Sequence, residues 1–215
     1  MNPPRFVLLG IVLASLTASA ALGQAPAIPE DASALLSKAT ALYVDGSAHA
    51  AGFTQVYTPS GFATSRRESG QVWIQAPQRL RFDYAAPEKK VFTYDAGEGR
   101  FFSPEDKQLT IRKLSPQEIA RLPIVFLSSP ADLAKRFEIQ LDAAKAILFK
   151  PRTPDPDLAW LKLAIAENGT VEALSYEDGS GSRTEFRFDS WTSEKARPPA
   201  DYKIEGPKGT RIVQN

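Results

Sequence analysis

The chain contains no cysteine, which excludes disulfides, thiolate metal sites and thiol catalysis together. It has one histidine, His49. A histidine-based metal cluster therefore cannot form, and any Ser-His-Asp triad has to run through that residue. Charge of one sign is also missing: Lys+Arg total 26 against Asp+Glu 25, so no strong field draws in nucleic acid or an anionic surface. No G-x-S-x-G elbow and no H-E-x-x-H pair appear. The expectation is a protein that is not an enzyme, needs no cofactor or metal, and does not bind nucleic acid.

What remains is ordinary globular material. The 215 residues are 43% hydrophobic and 24% charged, enough to build one sizeable core. The first residues look different. Met1 to Arg5 carries one positive charge, Phe6 to Leu13 is apolar, and Ala21-Leu22-Gly23 offers small side chains for a signal peptidase. The run is shorter than the ~20 residues a spanning helix needs. Residues 1–23 are read as a signal peptide cut near Gly23, and residues 24–215 as one exported domain.

Beyond a short leader, Leu35, Leu36, Ala39, Leu42 and Tyr43 recur at one-face helical spacing, with Asp31 able to cap the helix and Gly46 to stop it. From about residue 50 the period becomes two. Leu80-Arg81-Phe82-Asp83-Tyr84 alternates strictly, and further short strands follow to residue 111. Ser115-Pro116-Gln117-Glu118 is a helix start, and Pro123 and Pro130 keep the helical pieces that follow short. Strands then resume, with Asn168-Gly169 as a hairpin turn. Tyr202-Lys203-Ile204 is a candidate edge strand. This gives about ten strands. The fold expected is mainly β with α: an incomplete antiparallel barrel or strongly curved sheet covered by a helical lid.

Most chemical candidates have a plainer explanation. His49 reads as a surface or edge residue, Gly97-Glu98-Gly99 as a turn, and Asp155-Pro156-Asp157 as a proline-rich turn. The informative feature is the apolar set Val72, Ile74, Leu80, Phe82 and Tyr84, with Phe92 and Phe102 alongside. Periodicity alone reads these as a packed core. A single sheet that curls around a volume also allows a ligand cavity with helices as its lid. On that reading these seven residues line the cavity, and Leu35, Leu36, Leu42, Ile124 and Leu127 form the lid. Leu80→Glu should then block uptake and leave folding intact.

The order of short motifs resembles the LolA family of periplasmic outer-membrane lipoprotein carriers. The resemblance rests on Phe53-Thr54-Gln55, on Gly70-Gln71-Val72-Trp73-Ile74-Gln75-Ala76-Pro77 and on Leu80 to Tyr84. Asp95, Phe102, Pro104 and Gln108, then Leu122-Pro123-Ile124-Val125-Phe126-Leu127, then Tyr202 to Gly209, continue it. It implies a periplasmic carrier that shields acyl chains of lipoproteins in an apolar cavity. The implied partners are acylated lipoproteins, an inner-membrane lipoprotein-releasing ABC transporter and an outer-membrane lipoprotein acceptor, with the carrier itself a monomer. Three positions depart from the family pattern. Ala76 stands where the family has a lid-binding arginine, Arg100 replaces a tryptophan and Ala96 a glycine. Arg79 or Arg81 is the candidate substitute latch, although parity turns Arg81 outward. The alternatives are a lipid-sensing regulator of the RseB type, which would carry a second domain, a carrier of free fatty acids or glycolipids, or a hydrolase acting through His49.

Overall fold

Strict alternation along successive strands gives one face to apolar side chains, and a sheet that buries that face has to curl around it. The computed structural model describes residues 28–119, 122–127 and 129–214, so the expected signal peptide lies outside the described residues. The elements in chain order are α1 (Glu30–Tyr43), β1 (Ala48–Thr58), β2 (Arg66–Gln75), β3 (Arg79–Ala86), β4 (Lys90–Asp95), β5 (Glu98–Ser103) and β6 (Gln108–Lys113). A helical stretch follows: α2 (Pro116–Ile119), a 3-10 turn (Pro123–Leu127) and α3 (Pro130–Arg136). Then come β7 (Phe137–Leu141), β8 (Ile147–Pro151), β9 (Trp160–Ile165), β10 (Val171–Glu177), β11 (Arg183–Phe188), β12 (Thr192–Glu194), a second 3-10 turn (Pro199–Tyr202) and β13 (Arg211–Gln214).

All thirteen strands belong to one open sheet, ordered β13-β6-β5-β4-β3-β2-β1-β11-β10-β9-β8-β7, with β12 on β1. The pairing is antiparallel except for β13, which runs parallel to β6. The long β1 joins two meanders, pairing β2 on one side and β11 on the other. One face carries an apolar row from β2 to β5. Val72 lies opposite Phe82, Phe82 opposite Phe92 and Phe92 opposite Phe101. On the other wing Phe186, Leu174, Leu163 and Ile147 form a matching row. At Gly70 the ladder with β3 shifts register, and an added Cβ would lie 2.0 Å from the Asp83 carbonyl oxygen. Only glycine permits that approach.

α1 covers the concave face with Ala32, Leu36, Ala39 and Tyr43, all fully buried. Its N-cap is Pro29 rather than Asp31, which sits with Glu30 in the first turn where acids suit the helix dipole. Lys38 donates to the Glu167 carbonyl at 2.8 Å. The Asn168-Gly169 turn lies directly on the helix: Gly169 has φ +92°, and a Cβ there would meet the Lys38 carbonyl carbon at 2.8 Å. The capping box read at residue 115 is present. Ser115 N–H donates to Glu118, and Glu118 N–H to the Ser115 hydroxyl, at 2.8 and 3.2 Å.

The C-terminal segment differs from expectation. Tyr202 to Ile204 adds no edge strand, because Pro198 and Pro199 turn the chain into a 3-10 turn. That turn packs on the outer face, and the edge strand is β13 instead. Arg81 donates to the Asp201 carbonyl at 2.6 Å and Arg100 to the Ile204 carbonyl at 3.0 Å. Tyr202 is buried against this face and donates to Gln75 at 3.3 Å.

Candidate functional site

Between the concave wall and the 3-10 turn Pro123–Leu127 lies a cavity of about 470 Å³. β3 and β4 contribute Leu80, Phe82, Tyr84 and Phe92; β10 and β11 contribute Tyr176 and Phe186. Leu122 and Pro123 close it from the lid side, with Asp157 and Leu158 from the loop before β9. Alternation explains the wall, since Leu80, Phe82 and Tyr84 share one parity and Phe92 pairs directly with Phe82. Phe53 ties the aromatic floor together, with edge-on contacts to Phe82 and Tyr84 at 5.1 and 5.0 Å.

The structure distributes the expected residues unevenly. Leu80, Phe82, Tyr84 and Phe92 line the cavity, while Val72 and Ile74 share their face but are enclosed in the core. Phe102 is on the opposite face, because it pairs with Val91 while its neighbour Phe101 pairs with Phe92. It lines an outer groove with Trp73 and Val91 instead. In the lid, Leu36, Ile124 and Leu127 are buried and Leu35 is half-buried. Leu42 is 37% exposed, since the helix turns Ala39 and Tyr43 inward instead. Tyr176 and Phe186 are members that the same alternation reveals in strands β10 and β11. Asp157 and Leu158 sit in an irregular loop that carries no periodic signal.

Of the lining residues, Tyr84 has polar company. Tyr84 donates to Gln55 Oε1 at 2.8 Å, and Lys90 lies over the Tyr84 ring at 4.5 Å. Lys90 Nζ also donates to Glu68 Oε1 at 2.5 Å. Burial, reinforced by Glu68 and Tyr176, raises the Tyr84 hydroxyl above its ordinary pKa. Burial raises Tyr176 likewise. Both are neutral hydroxyls at physiological pH.

A model of the family described as outer membrane lipoprotein carrier protein LolA matches residues 46–205. The chain belongs to the LolA family. It is 25% identical to an outer-membrane lipoprotein carrier protein of Chromohalobacter salexigens, over 78% of this chain and 81% of that one. With the corresponding protein of Pseudomonas fluorescens the identity is 28%, over 76% and 80%. An uncharacterised conserved protein of Thermus thermophilus shares the fold, with a TM-score of 0.55 and 11% identity over 86% of this chain and 100% of that one. The LolA family is one of transport chaperones rather than catalysts. The matched span begins after α1 and ends within the outer-face segment.

The residues expected to latch the lid lie elsewhere in this LolA-family protein. Ala76 is buried in the core, and neither Arg79 nor Arg81 is placed as the expected latch. Both turn outward, Arg79 to Asp95 at 3.1 Å and Arg81 to Asp83 at 2.7 Å. One ion pair that reaches the lid is Arg112 with Glu118, at 2.6 Å. The Ser115 amide, more than Arg112, holds the Glu118 carboxyl below its usual range. His49 is also not where expected. It is 3% exposed, edge-on to Tyr43 at 5.0 Å, with Nε2 at 3.0 Å from Asp45. It points inward because its parity on β1 matches that of Ala51 and Phe53. Among the described residues no cluster of three metal-ligating side chains occurs, and no helix is long and apolar enough to cross a membrane.

Proposed function

We propose that this protein carries acylated lipoproteins across the periplasm from the inner to the outer membrane, as a monomer and without catalysing a reaction. The observation that carries this reading is the lidded apolar cavity of about 470 Å³ on the concave face. That size suits a small ligand or part of an acyl chain. Each methylene withdrawn from water is worth ~0.8 kcal/mol, so acyl chains need such a shelter to travel in water. The lid is built from short pieces interrupted by Pro123 and Pro130. A swing of these pieces away from the sheet would expose Leu80, Ile74 and Val72 and enlarge the apolar surface for loading. On this proposal residues 1–23 are an export signal and residues 24–215 the carrier domain. An inner-membrane lipoprotein-releasing ABC transporter loads it, and an outer-membrane lipoprotein acceptor unloads it.

The test uses spheroplasts displaying a newly made outer-membrane lipoprotein. Purified mature protein is added and the supernatant is examined for a soluble one-to-one complex. The expected result is a complex with the acylated cargo and none when the acylated cysteine is changed to serine. Absence of any complex, with Nile red still bound in the cavity, would overturn the lipoprotein assignment and keep the lipid-binding one.

A further inference from the structure

Among the large hydrophobic side chains of the described residues, Phe62 is the most exposed, at 67%. A single exposed apolar residue needs no explanation, but the setting of this one does. Phe62 ends the tight turn between β1 and β2. Its N–H donates to the Pro59 carbonyl at 3.2 Å, Gly61 supplies a φ of +76°, and the Thr58 and Ser65 hydroxyls meet at 2.7 Å across the base. The Ser60 N–H donates to Ser182 Oγ at 3.2 Å, so the β10–β11 tip braces this one. The hairpin also projects. β3 leaves β2 at Ser69, whereas β2 stays paired with β1 through Glu68, Arg67 and Arg66. The tip is a closed and braced turn that holds an aromatic ring in water.

The charge on the tip has one sign. From Pro59 to Arg67 the sequence holds two cations, Arg66 and Arg67, and no acid. Both arginines are exposed, and alternation sends them to opposite faces of β2. Acids beside the tip are committed: Glu68 to Lys90, Glu177 to Arg183, and Asp178 to the amides of Ser180 and Ser182. The β3–β4 corner adds Glu88 and Lys89, whose charges cancel. Two wall residues of the cavity stand at this same end of the sheet, Tyr84 close to the end of β3 and Tyr176 close to the end of β10.

We propose that the β1–β2 tip docks on an anionic phospholipid surface, with Phe62 entering the interface and Arg66 and Arg67 on lipid phosphates. An aromatic ring gains by leaving water for the acyl boundary, and each arginine near an anionic surface adds an attraction that salt weakens. A protein partner would need a pocket matched to one ring, whereas a bilayer accepts it anywhere, which suits an isolated residue. The chain as a whole is close to neutral, so the attachment is local and reversible, as passage from one membrane to another requires. This goes beyond the carrier reading, since docking needs no cargo.

The test is binding of the purified mature protein, without cargo, to vesicles of phosphatidylcholine alone and of phosphatidylcholine with an equal part of phosphatidylglycerol. Because the chain has no cysteine, Ala63→Cys places a single environment-sensitive label beside Phe62. Ala143→Cys places one in the β7–β8 turn, at the other end of the sheet. The label at residue 63 should brighten on the mixed vesicles, and the one at residue 143 should not. Phe62→Ser should lower the partition coefficient about tenfold, the scale of one aromatic side chain returned to water. Arg66→Ser with Arg67→Ser should lower it at least about tenfold on the mixed vesicles and leave binding to phosphatidylcholine alone unchanged. All three side chains are exposed, so these variants should keep the fold, which circular dichroism checks. Unchanged binding in Phe62→Ser, or an equal response at residue 143, overturns the proposal. So does the absence of any response to either vesicle, which would leave the tip to a protein partner. None of these outcomes touches the cavity, so the carrier reading stands or falls on the cargo experiment above.

Discussion

The Tyr43 hydroxyl accepts the Val171 N–H at 3.1 Å, while the Val171 carbonyl accepts from the Trp191 indole at 2.7 Å. One residue at the start of β10 is thus held from the lid helix and from the chain beyond β11. Tyr43 is fully buried, and burial pushes its hydroxyl from 10.0 up to about 12. The native state therefore keeps a proton that the unfolded chain gives up. This stabilisation is complete below pH 10 and is lost as the pH rises towards 12. Tyr43→Phe should cost about 1 kcal/mol at neutral pH, because the Val171 amide loses its acceptor. The variant should also lose less stability than wild type between pH 10 and 12. Denaturant unfolding followed by circular dichroism across that range checks both halves.

Placing a charge in the cavity separates wall from core. Leu80 is 0% exposed, so Leu80→Glu should not leave folding intact as the strand pattern alone suggests. It buries a carboxylate without a partner and should cost about 3 kcal/mol or more. Phe92 lines the cavity but is only half-buried. Phe92→Glu should keep the fold, because the carboxylate can stay hydrated at the open side, and should weaken Nile red binding about tenfold or more. Melting curves and dye titrations on the two variants distinguish these outcomes.

The difference between Leu80 and Phe92 also marks how far sequence could reach. Parity put Leu80, Phe82 and Tyr84 on one face correctly, because a strand has only two faces. It could not say which of them would be roofed by the lid, since that depends on helices contributed from elsewhere in the chain. Phe101-Phe102 shows the same limit: two adjacent aromatics have opposite parity, and only the pairing with Phe92 decides which faces inward. The outer-face role of Arg81 followed from alternation. Its carbonyl partner at Asp201 lies 120 residues away, which no local pattern contains. His49 was misplaced for a related reason, because its burial depends on α1 lying over the end of β1.

The Arg112–Glu118 pair ties α2 to β6, and half of the Arg112 side chain is exposed. Such a pair adds little to global stability. Arg112→Gln should move the melting midpoint little. It should speed release of a bound apolar dye, because one tie between the lid and β6 is then lost. Stopped-flow dye release is the measurement. An unchanged release rate would mean that this pair does not hold the lid.

Thr93 shows what the outer-face segment has covered. It stands between Arg81 and Arg100 in the cross-strand row, is 0% exposed, and its hydroxyl has no hydrogen-bond partner among the described residues. A buried hydroxyl without a partner gives up hydration for nothing, so its removal should not harm the fold. Thr93→Val keeps the shape and replaces that hydroxyl by a methyl group. It should be neutral or up to about 1 kcal/mol more stable than wild type. Thr93→Ser keeps the hydroxyl, loses the methyl and should be less stable. If Val proved clearly worse than Ser in denaturant unfolding, the hydroxyl would have to be bound, most simply through a water held under the segment at Tyr202.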